Sequence, residues 1–142
     1  MLHYIKGVYA GKTEDFLVVD NKGLGYKIFV PALTEKNLPA TGEIIHLYVH
    51  MVVREDNLTL YGFLTEEELS FFKSFITVSG IGPRAALSLL GSFSPSELYR
   101  LISSQDLSAL TTIKGVGKKS AQRIKSIFIF ICVLSMQYLR LS

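Results

Sequence analysis

The chain has one cysteine, four prolines and no tryptophan among its 142 residues. Cys132 by itself forms no internal disulfide, and no Cys/His pair has the spacing of zinc ligands. A reducing, cytoplasmic setting is the expectation. No signal-peptide run follows Met1, and the longest apolar stretch, Ile127 to Met136, is ten residues including Ser135. A membrane-spanning helix takes about 20, so a soluble protein with no membrane partner is expected. Charged residues make up 19%, too few for a disordered chain, while the 49% hydrophobic content can supply a core. The length excludes a large multidomain enzyme. No Gly-x-x-x-x-Gly-Lys-Ser/Thr loop is present for a nucleotide, and nothing calls for a cofactor or a metal. His46 and His50 share one strand face without further ligands, which favours surface or packing roles.

The small excess of positive charge is unevenly placed. Residues 1–63 carry six bases and seven acids, whereas residues 64–142 carry nine bases and five acids. Lys114, Lys118, Lys119, Arg123 and Lys125 fall together with no acid among them. Such a block is either a solvated helix face or a nucleic-acid footprint, depending on the backbone beneath it.

Two periodicities divide the chain. Up to Phe63 it reads as short extended runs: Leu2 to Tyr9, Phe16 to Val19, Gly25 to Val30 and Leu58 to Phe63, with turn chemistry at Asp20-Asn21-Lys22-Gly23. Ile45, Leu47, Val49, Met51 and Val53 alternate, which predicts five apolar side chains on one strand face. Five or six strands in about 60 residues suggest a small closed barrel, OB-type first and SH3-like second. From Thr65-Glu66-Glu67-Glu68, a capping box, the period becomes helical, with Leu69, Phe72, Phe75 and Ile76 on one face. Ser94-Pro95 opens a further helix. The expected fold class is therefore α+β and multidomain. A barrel spans 1–63, an all-α domain spans 64–125, and an atypical apolar tail spans 126–142.

The helical half repeats itself at an offset of 35 residues. Val78-Ser79-Gly80-Ile81-Gly82-Pro83-Arg84-Ala85 aligns with Ile113-Lys114-Gly115-Val116-Gly117-Lys118-Lys119-Ser120, and aliphatic residues follow in step. Each Gly-apolar-Gly lies between helical patterns and not after a strand, so a dinucleotide-binding turn lacks its context. Glycine permits positive φ and close approach of a ligand. The helix that begins there offers unpaired N–H groups and the positive end of its dipole to a phosphate. Ile81 and Val116 are expected to point inward. One copy alone reads equally as a helix connection with a glycine C-cap. Two copies, each followed by bases, favour sequence-independent nucleic-acid binding with strong salt dependence.

These paired motifs resemble tandem helix–hairpin–helix elements. With the barrel, Val52-Val53-Arg54-Glu55-Asp56 and Leu60-Tyr61-Gly62-Phe63, residues 1–125 resemble the RuvA family of Holliday-junction-binding subunits. The resemblance implies that the hairpin backbones at Gly80, Gly82, Gly115 and Gly117 grip the arms of a four-way DNA junction. It gives Arg84, Lys118, Lys119 and Arg123 as their basic partners, and Glu55 and Asp56 as an acidic pin at the crossover. It further implies a homotetramer or octamer without catalytic residues, working beside the RuvB motor ATPase and the RuvC resolvase. Beyond Lys125 the sequence departs from the family pattern of a charged helix, linker and third domain that docks on RuvB. This places that docking in question and suggests either a prolonged last helix or a truncated or frameshifted product. Two other readings compete. A base-excision glycosylase or lyase would draw on Lys114 and Asp106. A single-strand-binding barrel would stack bases on Tyr4, Tyr9, Tyr26 and Tyr48, although core packing is the expected role of these tyrosines.

Overall fold

The computed structural model describes residues 2–104 and 106–127. The chain divides into two compact units, Met1–Thr65 and Glu66–Ser142.

In the first unit the period-2 segments form β1 (Tyr4–Lys12), β2 (Leu17–Asn21), β3 (Leu24–Phe29), β4 (Ile44–Val53) and β5 (Leu58–Phe63). They close into a barrel in the order β1-β2-β3-β5-β4, with β4 pairing back onto β1. β3 and β5 run parallel and all other pairs are antiparallel. That order, with the short helix α1 (Ala32–Glu35) bridging β3 and β4, matches an OB-type barrel. The β2–β3 hairpin turns through Lys22 and Gly23, both with positive φ (52° and 91°), the backbone that a tight two-residue turn demands. Inside, Ile5, Leu17, Val19, Ile28, Leu47 and Val49 form a sealed core.

The alternation in β4 is only partly inward. Ile45, Leu47 and Val49 are buried, Met51 is half-buried, and Val53 is 61% exposed. Beyond Met51 the strand runs on as one arm of a hairpin, with Val53 paired to Leu58, itself 66% exposed. The five-residue apolar stripe therefore has a core beneath its first half alone. The tyrosines divide likewise. Tyr9 is buried and Tyr26 packs on the core, but Tyr4 is 54% exposed, so core packing does not account for it. Its ring meets His46 edge-on at 4.7 Å, and His46 lies against Tyr48 at 4.9 Å.

The second unit comprises α2 (Glu66–Ile76), α3 (Pro83–Ser92), α4 (Pro95–Ser103), a 3-10 turn (Leu110–Thr112) and α5 (Lys118–Ser126). α2 begins directly after Thr65, with Glu66, Glu67 and Glu68 in its first turn. Leu69, Phe71, Phe72 and Phe75 are fully buried, and Phe71 packs edge-on against Tyr99 of α4 at 4.9 Å. No helix among the described residues is long and apolar enough to cross a membrane. Residues 128–142, most of the apolar tail, lie outside the described residues.

α4 starts with a reciprocal cap. The Glu97 N–H donates to Ser94 Oγ (3.3 Å), and the Ser94 N–H donates to Glu97 Oε1 (3.2 Å). The Ser94 amide, and then its hydroxyl, hold the Glu97 carboxyl below its ordinary pKa. Because the native value is depressed, the linked stability is present above the ordinary carboxylate pKa. It disappears as pH falls through the native one. Ser94→Ala is expected to cost about 1 kcal/mol at neutral pH. The Ser94 amide, the larger cause of the Glu97 depression, is retained in this variant, so most of the loss is expected to persist on acidification, as measured by urea unfolding at stepped pH.

Candidate nucleic-acid interface

Each Gly-apolar-Gly segment folds in the same way. The Ile81 N–H donates to the Val78 carbonyl and the Val116 N–H to the Ile113 carbonyl, both at 3.0 Å. The third residue of each four-residue turn is a glycine at positive φ, Gly80 at 92° and Gly115 at 94°. This is a type II turn, whose third position excludes most side chains. Ile81 and Val116, at 4% exposure each, plug inward and tie the turns to their helices.

The second glycine of each motif is the N-cap of the helix that follows. Gly82 (φ −90°, ψ 176°) precedes α3 and Gly117 (φ −92°, ψ 178°) precedes α5, and no side chain caps either helix. The first intrahelical bonds run from the Ala86 N–H to the Gly82 carbonyl and from the Ala121 N–H to the Gly117 carbonyl. The amides of Arg84 and Ala85, and those of Lys118, Lys119 and Ser120, precede these bonds and have no intrahelical acceptor. Open space lies where a Cβ on Gly82 or Gly117 would stand. Two bare helix N-termini of this kind, with the dipole adding positive potential, suit an anion.

The two motifs are also packed reciprocally. A Cβ on Gly80 would lie 2.8 Å from Ser120 Oγ, and one on Gly115 would lie 3.2 Å from the Ala85 Cβ. Ala85 and Ser120 are equivalent under the 35-residue repeat, so each turn rests on the third residue of the other motif's second helix. Arg84 and Lys119 are likewise equivalent, and both are exposed, as is Lys118. Arg123 is exposed too, but its Nη1 donates to the Ser79 carbonyl at 2.9 Å, 44 positions away. Sequence reasoning could place Arg123 among the bases; its bond to Ser79 needed the fold.

In the barrel unit, Glu55 and Asp56 occupy the tip of the β4–β5 hairpin. The Arg54 N–H donates to the Asn57 carbonyl at 2.8 Å, closing a two-residue turn that leaves both carboxylates exposed. Lys114 is exposed in the second turn, and Asp106 Oδ1 accepts from the Ser108 amide and hydroxyl. Among the described residues no three His, Cys, Asp or Glu side chains come together to hold a metal.

Residues 1–62 match the model of the RuvA N terminal domain, and residues 72–127 match that of the SAM-like helix-hairpin-helix tandem. The chain is similar to RuvA in both of its units. Three similar proteins bear the name Holliday junction branch migration complex subunit RuvA. That of Ruminiclostridium cellulolyticum is 45% identical over 124 residues, 87% of this chain and 62% of that protein. That of Pseudomonas fluorescens is 45% identical, with 61% of its length covered, and that of Clostridium botulinum is 46% identical, with 63% covered. The chain thus spans about three-fifths of the length of these RuvA relatives. The family match falls on both the barrel with its acidic tip and the paired hairpins.

Proposed function

We propose that this chain binds four-way DNA junctions without regard to sequence, as the recognition subunit of a branch-migration complex in recombination and repair. The observation that carries this is the pair of uncapped helix N-termini behind Gly82 and Gly117, each flanked by exposed bases. Backbone amides meeting phosphates fix position and not base identity. In this reading Gly80 and Gly115 shape the turns, while Gly82 and Gly117 let the phosphate in. Arg84, Lys118 and Lys119 add charge. The Glu55–Asp56 tip serves as the acidic pin, repelling phosphates at the crossover so that strands separate and enter new duplexes.

The working division is residues 1–63 for the pin and residues 64–125 for the grip. The subunit is not itself an enzyme; ATP chemistry belongs to a separate motor, RuvB. A homotetramer or octamer acting in the cytoplasm, with RuvC as the resolving partner, completes the proposal.

A competition gel shift at near-physiological salt, with a synthetic four-way junction and linear duplex of equal length, tests it. Strong junction preference is expected. Equal binding to both DNAs overturns junction recognition, and absence of binding by folded protein overturns the DNA reading altogether. Neutralising the pin with Glu55→Gln and Asp56→Asn is expected to tighten binding to linear duplex by roughly three- to tenfold, since like-charge repulsion is removed. Junction preference then falls in the same assay.

A further inference from the structure

The two hairpins share their turn geometry but differ in one contact. In a type II turn the second residue's carbonyl lies outside the turn's own hydrogen bond. In the first hairpin that carbonyl belongs to Ser79, and Arg123 Nη1 donates to it at 2.9 Å. In the second it belongs to Lys114. The position equivalent to Arg123 under the repeat is Ser88, and no side-chain donor meets the Lys114 carbonyl among the described residues. A Cβ on Gly80 would also come within 3.8 Å of Arg123 Nη1, so the guanidinium lies directly against the turn.

We infer that Arg123 is a positioning residue that latches the first hairpin to α5, and not one of the phosphate ligands. The bond joins residues 44 apart in sequence and belonging to different repeats. It therefore acts on the relative placement of the two N-termini, a placement that a rigid, repeating phosphate backbone reads directly. The chemistry suits arginine in particular. Its planar fork delivers N–H donors in fixed directions, whereas a lysine ammonium is a mobile point charge. The DNA part of this inference rests on the reading proposed above; the latch itself does not.

Two measurements on the full chain separate the latch from a phosphate contact. The first needs no DNA. In Arg123→Lys, exchange of the Ile81 amide is expected to quicken by roughly three- to tenfold, the scale of one ordinary hydrogen bond at an exposed site. Exchange of the Val116 amide, in the equivalent but unlatched turn, should stay as in wild type. The second follows junction affinity against salt concentration. Arg123→Lys and Arg123→Met are both expected to weaken binding by a similar factor. In Arg123→Lys, which keeps the charge, the salt slope should match wild type. Lys119→Gln serves as the phosphate-contact control, with a slope flattened by about 0.9. The latch is overturned if Ile81 exchange is unchanged in Arg123→Lys, or if that variant binds junctions as wild type does. Should wild type fail to bind junctions at all, the functional reading fails, while the exchange comparison still decides the latch.

Discussion

Replacing both Gly82 and Gly117 with aspartate is expected to abolish DNA binding while leaving the fold as stable as before, or slightly more so. The two effects have opposite signs because the glycines serve the helices poorly and the ligand well. Their φ values of −90° and −92° suit any residue, and nothing lies within 4 Å of the Cβ each would gain. Aspartate is a strong N-cap and interacts favourably with the helix dipole, so each substitution contributes a few tenths of a kcal/mol or more to stability. The same carboxylate then accepts from the amides proposed to meet phosphate, and repels the phosphate itself. Charge-assisted hydrogen bonds contribute about 1.5–3 kcal/mol each, so losing two such sites should lower junction affinity by roughly 100-fold or more. Fluorescence anisotropy with a labelled junction, alongside thermal unfolding, checks both halves. Affinity within threefold of wild type would remove the helix N-termini from the binding model, while a fall of many degrees in Tm would refute the open space at the caps.

The neighbouring glycines should behave in the reverse manner. Gly80→Ala is expected to destabilise the helical unit by about 2–4 kcal/mol. Forcing a side chain into the positive-φ position costs about 1–2 kcal/mol, and the new Cβ would stand 2.8 Å from Ser120 Oγ, which must shift. Gly115→Ala meets the Ala85 Cβ at 3.2 Å, so a few tenths of an ångström of movement suffice and the loss should be smaller. Ser120→Ala in the Gly80→Ala background should recover the part of the loss due to the clash and leave the part due to φ. A double-mutant cycle by urea unfolding, followed through the helix signal, separates the two. Equal losses at Gly80 and Gly115 that Ser120→Ala does not touch would show that the reciprocal packing contributes nothing. Within one motif, therefore, the first glycine serves the fold and the second serves the ligand.

Several elements were legible because they depend on local chemistry. The Asn21-Lys22-Gly23 turn, the Pro95 start of α4 and the inward Ile81 and Val116 all follow from residue type and short-range period. The barrel and its OB-type order were accessible from strand number and spacing. The capping box at Ser94 and Glu97 is equally local, since Ser-x-x-Glu stands in the sequence.

What local pattern leaves open is coverage. Alternation places Met51 and Val53 on the same face as Leu47, but it does not say where along the strand the core ends. Only the β4–β5 hairpin, running past the barrel, decides that Val53 is exposed. Tyr4 is exposed for a related reason: an aromatic ring in a strand fits either face, and the β1–β4 pairing sets it beside His46.

The sequence by itself determined two units of different period, a repeated turn that strongly favours glycine, and the family that both resemble. The tertiary structure alone decided that the two turns rest on each other's helices and that Arg123 is bonded to Ser79. The physical reason is that backbone conformation is set by neighbours in the chain. The partner of a long side chain is set by what folding brings beside it, here a carbonyl 44 residues away.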